Sequence, residues 1–409
     1  MALQLIFLLC LLSLVSAVER NLVTNLPGFD GTLPFQLETG YVSVDEENGV
    51  ELFYYFIQSE GDPVLLWLTG GDRCSVLSGL AFEIGPVKFV IEPYNGSLPR
   101  LQYNPYSWTK VAGIIFVDSP VGALNLQGYL VGNPSTGERI DNESRVPFSH
   151  GLGIISDQLY ETITEHCQGE EYSKPKNVIC AQALNRFSKN FPNYTFLFFL
   201  AYTTLRVFHY LQLLDECLEA HILYKPCVYV SPRPKDGSAR RKRLKEETEA
   251  LSRIPPRPPM DCITYKKYLS YFWANSNITR DVLRIKKGSK DEWVMRCHDG
   301  DLPYSKDIKS SIKYHRNVTL KGYRALVYSG DHDAVVPFIG TQAWVRSLNF
   351  PIADDWRAWH LDGQSAGFTV AYSKNLTFAT IKGGGHTAPE YESERCLALF
   401  SRWISNEPL

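Results

Sequence analysis

The stretch Ala325-Leu326-Val327-Tyr328-Ser329-Gly330-Asp331 begins as an unbroken apolar and aromatic run and ends in a polar turn with a glycine. So short a continuous run describes a strand buried on both faces, the environment of a parallel sheet. The same texture recurs outward in both directions. Val64 to Leu68 runs into Thr69-Gly70-Gly71, and Gly113 to Val117 into Asp118-Ser119-Pro120. Leu126 to Val131 closes in Gly132-Asn133-Pro134, and Leu376 to Ile381 leads to Gly383-Gly384-Gly385-His386. Polar, glycine-rich loops at the carboxyl ends of buried strands are where open α/β sheets hold their ligands. Leu52 to Gln58 alternates and is rich in aromatics, as an early strand would be, and Glu392 to Ile404 reads as a closing amphipathic helix.

The length of 409 residues suits one large α/β domain with insertions. A hydrophobic fraction of 44% and a charged fraction of 21% are those of a soluble globular chain. A net charge of −2 points away from a dedicated nucleic-acid surface. Leu3 to Val15 is nearly all apolar and is followed by small residues ending at Ala17, so residues 1–17 are predicted to be a secretory signal peptide. The run is shorter than the roughly 18 residues of a membrane span, and no stable membrane anchor is expected. Export makes the nine cysteines candidates for disulfides. Six sequons, at Asn95, Asn142, Asn193, Asn277, Asn317 and Asn375, predict a glycoprotein of the secretory pathway, secreted or vacuolar.

The middle of the chain has a different texture, with helical stretches, a basic run from Arg240 to Lys245 and a proline cluster from Pro255 to Pro259. Residues 156–281 therefore read as a cap inserted between core segments 18–155 and 282–409. The basic run is expected to be a solvated loop. Tyr194 to Leu205 is almost wholly apolar but too short to span a membrane, and a buried cap helix or translated intron sequence would each account for it.

One connection fails a geometric test. Only seven residues, Ser119 to Asn125, separate the strand ending at Asp118 from the one starting near Leu126. Parallel neighbours in one sheet need a crossover of roughly a dozen residues or more. A strand and its helix are expected to be missing there.

The polar loops carry the elements of nucleophilic catalysis. Asp333 and then His386, each just past a strand end, stand in the chain order of the acid and base of an α/β-hydrolase triad. The acid orients the imidazole, and the imidazole takes the proton of a serine. The adjacent glycines Gly70 and Gly71 can aim backbone N–H groups at a developing oxyanion. The one literal Gly-x-Ser-x-Gly, Gly363-Gln364-Ser365-Ala366-Gly367, is rejected as nucleophile. It lies between acid and base, against the order of the fold, and Phe368 to Tyr372 after it reads as a strand rather than a helix. No spacing of cysteines and histidines resembles a metal site, and no cofactor is expected.

Several of these pieces together resemble the plant serine carboxypeptidase-like family, most closely its sinapoylglucose-dependent acyltransferase branch. They are Leu66-Trp67-Leu68-Thr69-Gly70-Gly71, Phe82-Glu83-Ile84-Gly85-Pro86, Ile115 to Gly122, Leu126-Gln127-Gly128-Tyr129, Tyr328 to Asp333 and the block from Gly383 to Tyr391. The resemblance implies an α/β-hydrolase fold with a mostly parallel central sheet and a helical cap. It implies Asp333 as triad acid with Asp331 in support, His386 as base, Gly71 in the oxyanion hole, and Gly70 and Glu83 near the substrate. It also implies disulfides joining Cys74 to Cys297, Cys167 to Cys180 and Cys227 to Cys262. The partners it implies are a glucose-ester donor and a malate-like hydroxy-acid acceptor, or, for the family's peptidases, a peptide carboxyl terminus. Thr69, where those peptidases carry Asn, leans to the acyltransferases.

Two departures stand out. The family's glycine loop continues Pro-Gly-Cys, whereas here Asp72-Arg73-Cys74 follows, and bulky residues lack glycine's freedom at such a turn. After Val121-Gly122 the family has a long stretch leading to the strand, Gly-x-Ser-x-Gly elbow and helix that present the serine; this chain passes directly to Ala123. The chain as written is therefore expected to be inactive and poorly stable. A serine-type carboxypeptidase and a non-catalytic product of splicing or of an incomplete gene model are the alternatives.

Overall fold

The computed structural model describes residues 20–45, 49–59, 63–70, 74–117, 128–137, 139–189, 257–262, 264–288, 292–295, 308 and 310–409. Residues 1–17, expected to be a signal peptide, the apolar stretch from Tyr194, the basic run and the link from Ser119 to Asn125 lie outside them.

Twelve strands are described: β1 (Asn21–Val23), β2 (Gln36–Asp45), β3 (Val50–Gln58), β4 (Val64–Trp67), β5 (Val87–Phe89), β6 (Leu101–Tyr103), β7 (Gly113–Val117), β8 (Gly128–Gly132), β9 (Arg324–Gly330), β10 (Ile352–Leu361), β11 (Gln364–Tyr372) and β12 (Leu376–Ile381). Ten of them form two five-stranded sheets, in the orders β1-β2-β3-β7-β4 and β10-β11-β12-β9-β8, and β5 with β6 forms a small ribbon. Parallel pairing holds between β4 and β7, β8 and β9, and β9 and β12. The outer pairings are antiparallel, so the sheets are mixed rather than mostly parallel. The reason is local: β2–β3, β10–β11 and β11–β12 are joined by turns too short for a crossover, and short turns make antiparallel neighbours.

The period of two along the central strands sorts their side chains between two cores. From β9 and β12, Ala325, Val327, Leu376 and Phe378 pack with Trp344 and Val345 of helix Phe338–Ser347 on one face. Leu326, Tyr328, Ala379 and Ile381 face the other way, with Leu399 and Phe400 of helix Ser393–Ile404. That helix shows three buried residues, Cys396, Leu399 and Phe400, at helical spacing on one face. The Phe400 ring stacks on Trp108 at 4.3 Å between centroids, and Trp108 in turn meets Trp67 of β4 edge-on. The two sheets thus share one core, which also takes Ile114 and Phe116 of β7. Each such side chain, fully buried, contributes about 1.5–3 kcal/mol of transfer free energy.

The strands that flank the short link, β7 and β8, fall in different sheets rather than side by side in one. A link of that length cannot carry a parallel crossover, and the chain forms two sheets instead. Among the described residues, β4 and β8 each pair on one side only and are the end strands of their sheets. Both are apolar, yet no residue of either is buried, and Val64 is 60% exposed. Their inner neighbours differ sharply: six of the seven residues of β9 are buried. Edge strands of soluble proteins are normally blunted by charge, bulges or proline, and these two are not.

Candidate active site

Gly330 and Ile381 are register partners at the ends of the parallel strands β9 and β12, so the loops that follow leave the sheet at the same edge. Asp333 sits three residues past the first strand and His386 five past the second. Their side chains meet, with His386 Nδ1 2.9 Å from Asp333 Oδ2. Asp333 is fully buried, while the His386 side chain keeps 27% of its surface exposed, so the imidazole forms the accessible end of the pair.

The carboxylate is held on all sides. Oδ1 accepts from the backbone N–H groups of Val335 at 2.7 Å and Val336 at 3.2 Å. Oδ2 accepts from Asn133 Nδ2 at 2.7 Å as well as facing His386. An acceptor oxygen at Nδ1 requires the proton to sit on that nitrogen, which makes Nε2 the basic position of the ring. This is the arrangement by which an acid orients an imidazole for proton abstraction.

Asp331 ties the two loops together: its Oδ1 accepts from the Gly383 N–H at 2.7 Å and faces His332 Nδ1 at 2.5 Å. His332 N–H in turn donates to Gly384 O at 2.9 Å. The loops approach so closely that a Cβ on Gly330 would lie 2.2 Å from Gly384 O. Only glycine fits there.

Glu83 ends the helical turn Gly79–Glu83, whose Ile84 N–H reaches back five residues to Gly79 O at 3.0 Å. The carboxylate is buried, 8% exposed. Burial chiefly, and then the nearby Cys396 and Glu83, raise the Tyr328 phenol well above its ordinary range, which sets Glu83 close to β9. Thr69 and Gly70 follow β4. The Trp67 indole N–H donates to Thr69 Oγ1 at 3.1 Å, and that hydroxyl is 3.3 Å from Ser78 Oγ. A Cβ on Gly70 would meet open space. Gly71, Asp72 and Arg73 lie outside the described residues.

Cys167 and Cys180 form a disulfide, Cα–Cα 5.0 Å, between helices Asp157–His166 and Val178–Lys189. Cys74 and Cys262 each take part in a further disulfide; Cys297 and Cys227, the partners expected for them, lie outside the described residues. Cys396 is a buried free thiol.

Ser365 lies at the start of β11, paired across the hairpin with His360 of β10. The turn before it uses Asp362 and Gly363 with φ of 49° and 74°, the positive pair of a two-residue hairpin turn. A serine within a hairpin lacks the strand-to-helix elbow that exposes a nucleophile. One site residue escaped the sequence reading altogether: Asn133, whose amide reaches Asp333 from the end of β8. In sequence it is one asparagine in a Gly-Asn-Pro turn, and nothing there distinguishes it from ordinary turn chemistry.

The model of the serine carboxypeptidase family matches this chain over residues 27–123 and again over residues 123–406. The chain belongs to the serine carboxypeptidase family. Serine carboxypeptidase-like 7 of Arabidopsis thaliana is 38% identical over 467 positions, covering 96% of this chain and 94% of that protein. Serine carboxypeptidase-like 19 of the same plant is 36% identical over 485 positions, covering 99% and 98%. Both alignments are longer than the 409 residues available, so these serine carboxypeptidase-like relatives carry residues with no counterpart here. The solved structure of Kex1(delta)p, a prohormone-processing carboxypeptidase from Saccharomyces cerevisiae, superposes with a TM-score of 0.60 at 14% identity, covering 91% of this chain and 92% of that one. The fold is the α/β-hydrolase fold with mixed sheets.

Proposed function

We propose that this chain is a serine carboxypeptidase-like protein of acyltransferase lineage that keeps the acid and base of the site, Asp333 and His386, but has lost the serine they serve. The observation that carries this reading is the pair of end strands β4 and β8, apolar but no more than half-buried at any residue, each ending its sheet in a parallel pair. One parallel strand placed between them would join the two sheets and cover both. The division of the family match at residue 123 supports the same location for the loss. The strand, the elbow and the helix after it are the part that carries the nucleophile in an α/β-hydrolase.

The acyltransferase lineage rests on Thr69. Its hydroxyl is engaged by Trp67 and Ser78, and it brings no amide to hold a peptide carboxylate. Gly70, Gly71 and Glu83 complete the substrate side, with the oxyanion assigned to Gly71. Donor and acceptor are a glucose ester such as sinapoylglucose and a malate-like hydroxy acid. Residues 156–281 are the cap, whose described helices are Asp157–His166, Val178–Lys189 and Tyr265–Asn275, with Asn277–Val282 at its end. Incubation with sinapoylglucose and malate, beside a blocked-peptide assay, tests the reading. Ester product from the intact chain would overturn the loss of the serine, and peptide cleavage would overturn both the loss and the lineage.

We also assign the protein to the secretory pathway. Asn95, Asn142, Asn277, Asn317 and Asn375 are all exposed, as glycan acceptors must be, and Asn193 lies outside the described residues. No helix among the described residues is long and apolar enough to cross a membrane. Expressed in plant cells, the protein is expected to lose mass in several steps on limited digestion with an amidase that releases N-glycans. An unchanged mass would contradict the assignment.

A further inference from the structure

The end of β8 reaches the Asp333–His386 pair through a single side chain. Asn133, directly after Gly132, has φ of 45°, a left-handed conformation that asparagine adopts more readily than most residues. It is 4% exposed, and its own N–H donates to Tyr328 O on β9 at 2.8 Å. Its amide is satisfied at both ends. Nδ2 donates to Asp333 Oδ2 at 2.7 Å and lies 3.4 Å from Ser329 Oγ, while Oδ1 lies 3.4 Å from the Gly330 N–H. Turning the amide over would aim Oδ1 at a carboxylate oxygen and Nδ2 at a backbone N–H, so the orientation is fixed by its partners.

We propose that Asn133 is a positioning residue: its amide fixes Asp333 Oδ2 toward His386 Nδ1 and thereby holds the imidazole in the tautomer with Nε2 basic. Two backbone N–H groups anchor Oδ1, but they leave the carboxylate free to swing about that oxygen. The Asn133 amide supplies the second anchor, on the oxygen that the histidine uses. A charge-assisted hydrogen bond in a buried setting is strong enough for the task. The role rests on reading Asp333 and His386 as acid and base, but its test needs no turnover.

The test is the low-field Nδ1–H proton resonance of His386 in the full chain labelled with 15N-histidine, assigned by its loss in His386→Gln. Asn133→Gly keeps the backbone conformation, because glycine accepts positive φ, and removes only the amide. The expected result is a folded variant whose Nδ1 proton exchanges with water about tenfold faster or more, or vanishes. Ser329→Ala, which removes the weaker partner of the same amide, is expected to leave the resonance in place. Asn133→Asp keeps the side-chain shape, replaces the donor with an acceptor, and is expected to lose the resonance. An unchanged exchange rate in Asn133→Gly overturns the proposal, and so does loss of the folded circular dichroism spectrum in both Asn133 variants, which would make the residue a fold determinant. Absence of the resonance from the unsubstituted chain refutes the acid–base pair itself, a separate outcome.

Discussion

Mixed with sinapoylglucose and malate, or with a blocked dipeptide, this chain is expected to release product no faster than its His386→Ala variant does. The base of an acyl-transfer site acts only on a hydroxyl within hydrogen-bond reach, and the two lose function as a unit. Removing the serine of such a triad costs on the order of 10^6 in kcat, and removing the histidine as well costs almost nothing further. What is left comes from oxyanion donors and binding. Here the loop proposed to hold the oxyanion departs from the family's pattern, with Asp72-Arg73 after Gly71. The pair of rates therefore separates the readings better than the rate of either protein alone. Product formation that falls by orders of magnitude in His386→Ala would mean a working nucleophile is present.

Gly330→Ala is expected to be the most damaging small substitution near the site. The added Cβ would lie 2.2 Å from Gly384 O and 2.4 Å from both Gly384 C and Gly385 O, all backbone atoms that no rotamer change can move. The loop that carries His386 must shift, and with it the Gly384 carbonyl that accepts from His332. Overpacking of this kind costs about 3 kcal/mol, the upper part of its usual range, against a total stability of about 5–15 kcal/mol. A fall in Tm of about 3–4 °C should accompany loss of the His386 Nδ1–H resonance. Gly151→Ala is the control: a Cβ there meets nothing within 4 Å, and the expected change is within about 0.5 kcal/mol. Equal Tm values for the two variants would show that the loops are looser than their geometry implies.

The buried strands were legible because a strand covered on both faces carries no charged residue to break its apolar run. Gly113–Val117 and Leu376–Ile381 match the apolar runs end for end. β10 was not legible: one of its ten residues, Trp359, is buried, and Asp354, Asp355 and Arg357 interrupt any pattern. The division into two sheets could not be read from strand texture, since β4 and β8 look in sequence like strands covered on both faces and are not. The pairing of Asp333 with His386 followed from their places after strands, since strand order fixes which loops meet. Asn133 did not follow, because its role depends on β8 lying beside β9, whose Ser329 is 196 residues away from it in sequence.

The central claim, that an acid and base remain here without a serine to activate, is tested most directly by a fluorophosphonate probe, which phosphonylates only an activated serine hydroxyl. The full chain, folded by circular dichroism, should take up no probe under conditions that label an intact serine carboxypeptidase to completion. A single serine carrying the phosphonyl group by mass spectrometry, with the modification lost in His386→Ala, would contradict the account.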